Sequence, residues 1–352
     1  MSVMRPSVVV GLSGGVDSFV TALLLKQQGY DVIGVYLQLW GDKEKPQLDC
    51  LCRDLGIELL RYDGQKLFRR QVVDVFVQEY SEGRTPNPCA LCNNTVKWSL
   101  LLQVADEMRV EKVATGHYVK ILPLAGHWYV CKGEDAVKDQ SYFLWGVKEK
   151  LLMRALTPLG DFTKVQVKKM AQDYGYADLA YQKESMGICF LEGKDYRDFI
   201  FHYSGRICKS VPGDIRDTDG HIIGQHTGLL NYTVGQKRGM PVIGNEPLYV
   251  KEICAGQNLI VADRKNGLFQ HILEIEQVNL IDRTDLESEN IEVKVRGLGL
   301  NPAGNANVRE IGESRLRIYL ENPAWALAPG QPVALYCGNR LLGGGILSSS
   351  RI

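Results

Sequence analysis

Residues Gly11-Leu12-Ser13-Gly14-Gly15-Val16-Asp17-Ser18 stand between an apolar run, Val8-Val9-Val10, and a segment of helical periodicity. Paired glycines let a backbone approach a phosphate closely, and the free N–H groups of a helix start supply donors and a positive dipole end. Ser13 and Ser18 add hydroxyl donors. Asp17 does not contact phosphate at neutral pH, so it is read as a Mg²⁺ ligand or as a cap on the helix. No Gly-Lys-Ser/Thr ending follows, and the Gly-x-Gly-x-x-Gly pattern is absent, so neither a Walker loop nor a dinucleotide loop is expected. A second signal is Cys89-Ala90-Leu91-Cys92. Nine cysteines are an odd number, in a chain whose N-terminal apolar stretch is too short for a signal sequence. They read as reduced thiols in a cytosol, and a Cys-x-x-Cys pair there points to metal or sulfur chemistry.

Further motifs narrow the chemistry. Gly83 to Asn93 reads Gly-Arg-Thr-Pro-Asn-Pro-Cys-Ala-Leu-Cys-Asn; then come Ala114-Thr115-Gly116-His117-Tyr118, Lys138-Asp139-Gln140-Ser141 and Gly187-Ile188-Cys189-Phe190. The Ser-Gly-Gly-x-Asp-Ser loop resembles the pyrophosphatase-loop superfamily, whose members split ATP between its α and β phosphates. Taken in order over nearly the whole chain, the motifs resemble the tRNA-specific 2-thiouridylases, which exchange O2 of a wobble uridine for sulfur. The resemblance implies ATP and Mg²⁺ as cofactors, with Leu37 and Gly116 joining Gly11 to Ser18 at the nucleotide. It implies a persulfide on Cys189, with Cys92 as its partner. Asn87, Pro88, Cys89, His117, Lys138, Asp139, Gln140, Arg296 and Gln331 are expected to face a tRNA of the Lys, Glu or Gln type, and a persulfide-donor protein is expected as sulfur source. It also implies three domains, drawn at 1–192 (nucleotide and catalysis), 193–266 (middle, tRNA-contacting) and 267–352 (a β-barrel).

The sequence departs from the family pattern in places. Cys89 stands where an Asp serves as general acid or base, so that role does not carry over to it. His117 then handles protons or donates a hydrogen bond to phosphate or tRNA; both readings stay open. With Cys92 and Cys189, Cys89 makes three thiols that could hold a [4Fe–4S] cluster; a tolerated replacement and a transient Zn²⁺ site are the alternatives. Met186 replaces the usual Thr. Arg296-Gly297-Leu298-Gly299 keeps one phosphate-contacting Arg and loses the aromatic beside it. Cys50, Cys52, Cys131, Cys208, Cys254 and Cys337 read as small buried apolar residues.

The elements that must position these groups follow from periodicity. Strands are expected at Val8–Val10, 31–40, 57–62 and from Lys112 to Ala114, alternating with helices at 19–28, 65–80 and 163–174. That alternation means βαβ units and a parallel sheet. A helix at 195–203 follows, with strand-like pieces at His221-Ile222-Ile223 and Leu229-Leu230. Short alternating stretches at 291–295, 316–320, 333–336 and 343–346 predict an antiparallel barrel. The fold class is therefore α/β, with a small mixed middle domain and a C-terminal antiparallel β-domain.

The 352 residues suffice for two or three domains at about 150 each, and 45% hydrophobic content excludes a disordered chain. Lys+Arg and Asp+Glu are 41 each, which excludes a polybasic binder and leaves local clusters such as Lys237-Arg238 for phosphate contact. Two other functions compete: an amide- or guanidine-forming synthetase of the same superfamily, which needs no cysteine pair, and a non-catalytic metal- or RNA-binding module.

Overall fold

The structure, a computed structural model, describes residues 5–42, 45–183, 187–204, 211–243, 246–297 and 299–349. Met186, Cys208 and Leu298, on which sequence readings fell, lie outside the described residues. Two compact units divide the chain. One comprises residues up to Gln71, Cys89–Phe190 and Asn339–Leu342; the other comprises Val72–Pro88, Leu191–Gly338 and residues from Gly343 on.

The first unit opens with β1 (Ser7–Gly11), α1 (Val16–Gln27), β2 (Asp31–Gln38), α2 (Pro46–Leu55) and β3 (Glu58–Asp63). A helical stretch follows as α3 (Gln65–Phe68), a π-turn (Arg69–Val73) and α4 (Asp74–Ser81), the last lying in the second unit. Another runs as α5 (Pro88–Cys92), a π-turn (Asn93–Lys97) and α6 (Trp98–Glu107), leading to β4 (Lys112–Ala114). The hairpin β5 (Val119–Leu124) and β6 (His127–Lys132), α7 (Glu149–Leu152), β7 (Ala155–Leu156), α8 (Lys164–Asp173) and α9 (Ala177–Tyr181) complete it. The hairpin went unread in the sequence because its outer residues are half-exposed and carry no clean alternation.

The core sheet is parallel, in the order β3-β2-β1-β4-β7. Val8, Val9 and Val10 are fully buried between neighbours on both sides, as a continuous apolar run requires. Strand order reverses at β1, between β2 and β4, so the ends of β1 and β4 flank the crevice where open α/β sheets bind ligands. One side of α1 packs Val16, Phe19 and Val20 against Val167 and Ala171 of α8.

The second unit adds α10 (Tyr196–Ser204) and a four-stranded sheet in the order β12-β13-β8-β9, from β8 (Gly213–Arg216), β9 (Ile222–His226), β12 (Tyr249–Cys254) and β13 (Leu259–Asp263). Two short strands, β10 (Val242–Ile243) and β11 (Glu246–Pro247), pair with each other in a separate antiparallel ribbon. The C-terminal antiparallel sheet takes β14 (Phe269–Leu280), β15 (Ile291–Lys294), β16 (Ala306–Gly312), β17 (Arg315–Trp325), β18 (Pro332–Cys337) and β19 (Arg340–Ser349) in the order β15-β18-β19-β14-β17-β16. Leu229-Leu230, expected as strand, forms a 3₁₀ turn over Leu229–Asn231 instead. Gly228 before it has φ of 119°, which breaks any extended run.

Candidate active site

The glycine loop joins β1 to α1 at the sheet's switch point. Leu12 donates its N–H to the Val35 carbonyl at 2.8 Å and buries its side chain, so the loop leaves the sheet from a fixed base. Gly14 turns the chain at φ of 83°, a conformation that a side chain would strain. Ser18 Oγ donates to the Gly15 carbonyl at 3.0 Å and accepts the Ser13 N–H at 3.2 Å, closing the loop on itself. Gly116 lies against the start of α1: a Cβ there would stand 2.9 Å from the Asp17 carbonyl carbon and 3.1 Å from Ser18 N. Leu37 sits near the C-terminal end of β2, paired with Tyr62 of β3.

Asp17 does not cap the helix. Gly15 is the cap residue and has no side-chain cap, and the Asp17 carboxylate is engaged elsewhere. Lys164 Nζ donates to both of its oxygens at 2.7 Å and Tyr118 Oη to Oδ1 at 2.6 Å. Tyr118 ends the Ala114–Tyr118 motif, whereas Lys164 is in none of the motifs read from the sequence; it lies 147 residues from Asp17, and no local signal links them. Asp139 and Gln140 turn their side chains inward to support this arrangement. Gln140 accepts the Tyr118 N–H on Oε1 at 3.1 Å and donates its own N–H to the Tyr118 carbonyl at 3.3 Å. Asp139 accepts from Gly133 N, Ser141 N and Ser141 Oγ. Lys138 donates its N–H to the Asp135 carbonyl at 3.1 Å.

The cysteines come from two distant segments. Cys89 and Cys92 lie on α5, one turn apart; Cys189 opens a 3₁₀ turn over Cys189–Leu191. Phe190, buried beside Cys189, packs its ring 5.9 Å from both Trp40 and Phe68, which fixes that turn to the nucleotide unit. Cys92 is buried, whereas Cys89 and Cys189 are exposed at their edges. Burial pushes the Cys92 thiol up to about 11, opposed by the Lys97 ammonium and reinforced by Cys189 and Cys89. Burial also raises Cys89 against Lys97, and raises Cys189 together with Cys89. Lys97 is the cation that opposes the rise at all three.

His117 is buried, its ring stacked on Trp98 at 5.7 Å, with Nδ1 2.7 Å from Thr115 Oγ1. Burial, with Lys97 nearby, pushes its imidazole down to about 3, so it stays neutral and sits as a packed core group in this structure. In the second unit, Asn87 is half-buried and Pro88 buried. Gln331 Nε2 donates to the Thr85 carbonyl at 2.6 Å, while Thr85 N–H donates to the Pro329 carbonyl at 2.7 Å. Gln331 thus holds the backbone that leads into Asn87 and Pro88. Arg296 stacks on Trp325 at 5.7 Å and donates from Nη2 to the Ala326 carbonyl at 2.5 Å and the Trp325 carbonyl at 3.3 Å. It staples the C-terminal sheet. Of the remaining cysteines among the described residues, only Cys52 is buried as expected; Cys50 is exposed, because it falls on the outer side of α2, and Cys131, Cys254 and Cys337 are half-buried.

Known proteins resemble this chain along its whole length. A family model described as the tRNA methyl transferase HUP domain matches residues 6–193, the tRNA methyl transferase PRC-barrel domain matches 197–263, and the aminomethyltransferase beta-barrel domain matches 270–347. A tRNA-specific 2-thiouridylase of Bacteroides fragilis is 36% identical over 353 residues, covering 100% of this chain and 96% of its own length. That of Acidithiobacillus ferrooxidans is 36% identical over 344 residues, covering 96% of this chain and 97% of its own. That of Halothermothrix orenii is 35% identical over 359 residues, covering 97% and 99%. Three matched domains in one order, and likeness running the full length of relatives that share one name, lead to a single conclusion: this chain belongs to the tRNA-specific 2-thiouridylase family.

Proposed function

We propose that this chain is an ATP-dependent tRNA sulfurtransferase that converts a wobble uridine to 2-thiouridine. The observation that carries the reading is that Cys89, Cys92 and Cys189 lie in the same unit as the glycine loop. A pyrimidine carbonyl oxygen leaves poorly. Attack of O2 on the α-phosphate of ATP breaks the bond to the β-phosphate, releases pyrophosphate and makes O2 part of a leaving group, AMP. Asp17, a part-exposed carboxylate beside the loop, fits Mg²⁺, which takes few protein oxygens and completes its shell with phosphates and water. Such an ion would neutralise phosphate charge there.

Sulfur comes from a persulfide-donor protein to Cys189. The terminal sulfur of the Cys189 persulfide attacks C2 and AMP leaves, giving C2–S–S–Cys189. Cys92 thiolate then attacks the Cys189 sulfur. A Cys92–Cys189 disulfide forms, the C2–S–S bond breaks toward the base, and 2-thiouridine is released. Alternatively Cys92 attacks the persulfide first and frees HS⁻, which attacks C2. Either way the cysteines are oxidised as the sulfane sulfur is reduced, and a thiol reductant resets the pair. The target base must be splayed from the anticodon loop to reach these sulfurs. Asn87, Pro88 and Cys89 are the residues we place around it.

Cys89 favours a second reading, in which the same thiolation uses three thiolates around a [4Fe–4S] cluster. A tetrahedral zinc would bring its sulfurs to about 4 Å of one another. Among the described residues, the one group of three such ligands within 4.8 Å of one another is the exposed Asp217, Asp219 and His221 turn. A cluster takes each of three thiolates on a different iron and leaves a fourth iron open. A bound cluster would supply an iron that carries sulfide; Cys89, Cys92 and Cys189 would hold it.

The deciding experiment incubates unmodified tRNA with the protein, Mg-ATP, a persulfide sulfur donor and a thiol reductant, with nucleosides read by mass spectrometry. We expect 2-thiouridine with the intact chain and none with Asp17→Ala. Cys92→Ser and Cys189→Ser should lose the thionucleoside and keep ATP binding. ATP split to AMP with no thionucleoside under any sulfur source would leave adenylation standing and refute the uridine substrate. Activity retained in both serine variants would favour the synthetase. Iron-free protein with full activity in air would exclude the cluster.

A further inference from the structure

We infer that Lys164 is a ligand of the pyrophosphate half of ATP, and that Asp17 occupies its ammonium until the nucleotide arrives. The inference rests on the adenylation step proposed above and assigns a residue to its leaving group. Lys164 is buried, with 10% of its side chain exposed, and Nζ meets both oxygens of Asp17 at 2.7 Å. Asp17 is the second residue of α1, directly after the glycine loop. The ammonium therefore ends within one side chain of the N–H groups that would receive phosphate oxygens. A second cation approaches the loop: Lys45 Nζ donates to the Ser13 carbonyl at 3.4 Å.

The backbone that delivers Lys164 is fixed on several sides. Lys164 is the first residue of α8, preceded by a capping box in which Thr163 and Gln166 satisfy each other's backbone. Its N–H donates to Asp135 Oδ2 at 2.9 Å, and α8 packs on α1 through Val167 and Ala171. Asp17 is held independently by the Tyr118 hydroxyl, whose backbone Gln140 clamps on both edges. When the ammonium turns from carboxylate to phosphate, Tyr118 keeps Asp17 in place. Charge decides the exchange. A bare carboxylate beside the loop would repel phosphate, and Lys164 neutralises it at rest. Pyrophosphate carries several negative charges and outcompetes one carboxylate for the same cation. As the α–β bond of ATP breaks, charge accumulates on the departing pyrophosphate, and a cation already in place stabilises it.

The test is titration calorimetry of inorganic pyrophosphate and of AMP, without metal, on the full chain and three variants, each checked for folding by thermal melting. Asp17→Asn removes the competitor and should tighten pyrophosphate binding. Lys164→Met should weaken it. The decisive comparison adds Lys164→Met to Asp17→Asn, a pairing that leaves no unpaired charge. Loss of a charge-assisted contact should cost about tenfold in pyrophosphate affinity relative to Asp17→Asn alone, with AMP affinity unchanged. Equal pyrophosphate affinity in Asp17→Asn and the double variant would overturn the inference and leave Lys164 as a neutralising partner only. No tRNA or sulfur is needed, so this pattern stands or falls separately from the appearance of 2-thiouridine.

Discussion

Replacing Gly116 with Ala tests whether the glycine is there to admit the start of α1. Its added Cβ would stand 2.9 Å from the Asp17 carbonyl carbon, 3.1 Å from its oxygen and 3.1 Å from Ser18 N. All three are backbone atoms, so no side chain can rotate away; either the first turn of α1 or the end of β4 must shift. Overpacking of this kind costs about 1–3 kcal/mol. For a unit of this size, each kcal/mol lowers the melting temperature by about 2–4 °C. The shift falls on the residues that form the nucleotide loop, so affinity for ATP should drop with stability. Thermal melting and equilibrium ATP binding are measured on Gly116→Ala beside Gly256→Ala, where a Cβ meets nothing within 4 Å. If Gly116→Ala melts and binds ATP like the parent chain, the loop is not held by this contact and the reasoning fails.

Three further outcomes follow from the same geometry. The His117 ring, held neutral by burial and pushed down to about 3, should show no titration between pH 5 and 8 in its NMR shifts; a midpoint near 6.5 would contradict its placement. Cys92, pushed up to about 11, is protonated at neutral pH, and its thiolate fraction grows as pH rises toward that value. Its alkylation, read by peptide mass spectrometry, should therefore accelerate about tenfold per pH unit from 7 to 10, and more slowly overall in Lys97→Met, because Lys97 opposes the rise. A rate independent of pH would refute this. Arg296→Ala removes a ring stack and two carbonyl contacts from the C-terminal sheet, and should lower stability by about 1–2 kcal/mol. The salt dependence of tRNA affinity should stay that of the parent chain; a slope reduced by about one would mark Arg296 as a phosphate contact instead.

Much of this protein is written locally. The buried valines of β1, the glycine loop and the periodicity of α1 depend on neighbours within a few residues, so the parallel sheet and the phosphate-binding turn are legible without coordinates. The order of the cysteine and Gly-His-Tyr motifs likewise determined the chemistry that the chain suits. Tertiary structure decided what those groups are free to do. His117, Asp139 and Gln140 look from sequence like groups facing a ligand; folding buries the first against Trp98 and engages the other two with Ser141 and the backbone of Tyr118. Asp17 looks like a cap, and α8 brings Lys164 to it from far along the chain. Residue type states what a side chain is able to do. Which partner reaches it, and how much water it keeps, depends on segments that sequence spacing cannot bring together, because desolvation and ion pairing arise only when those segments pack.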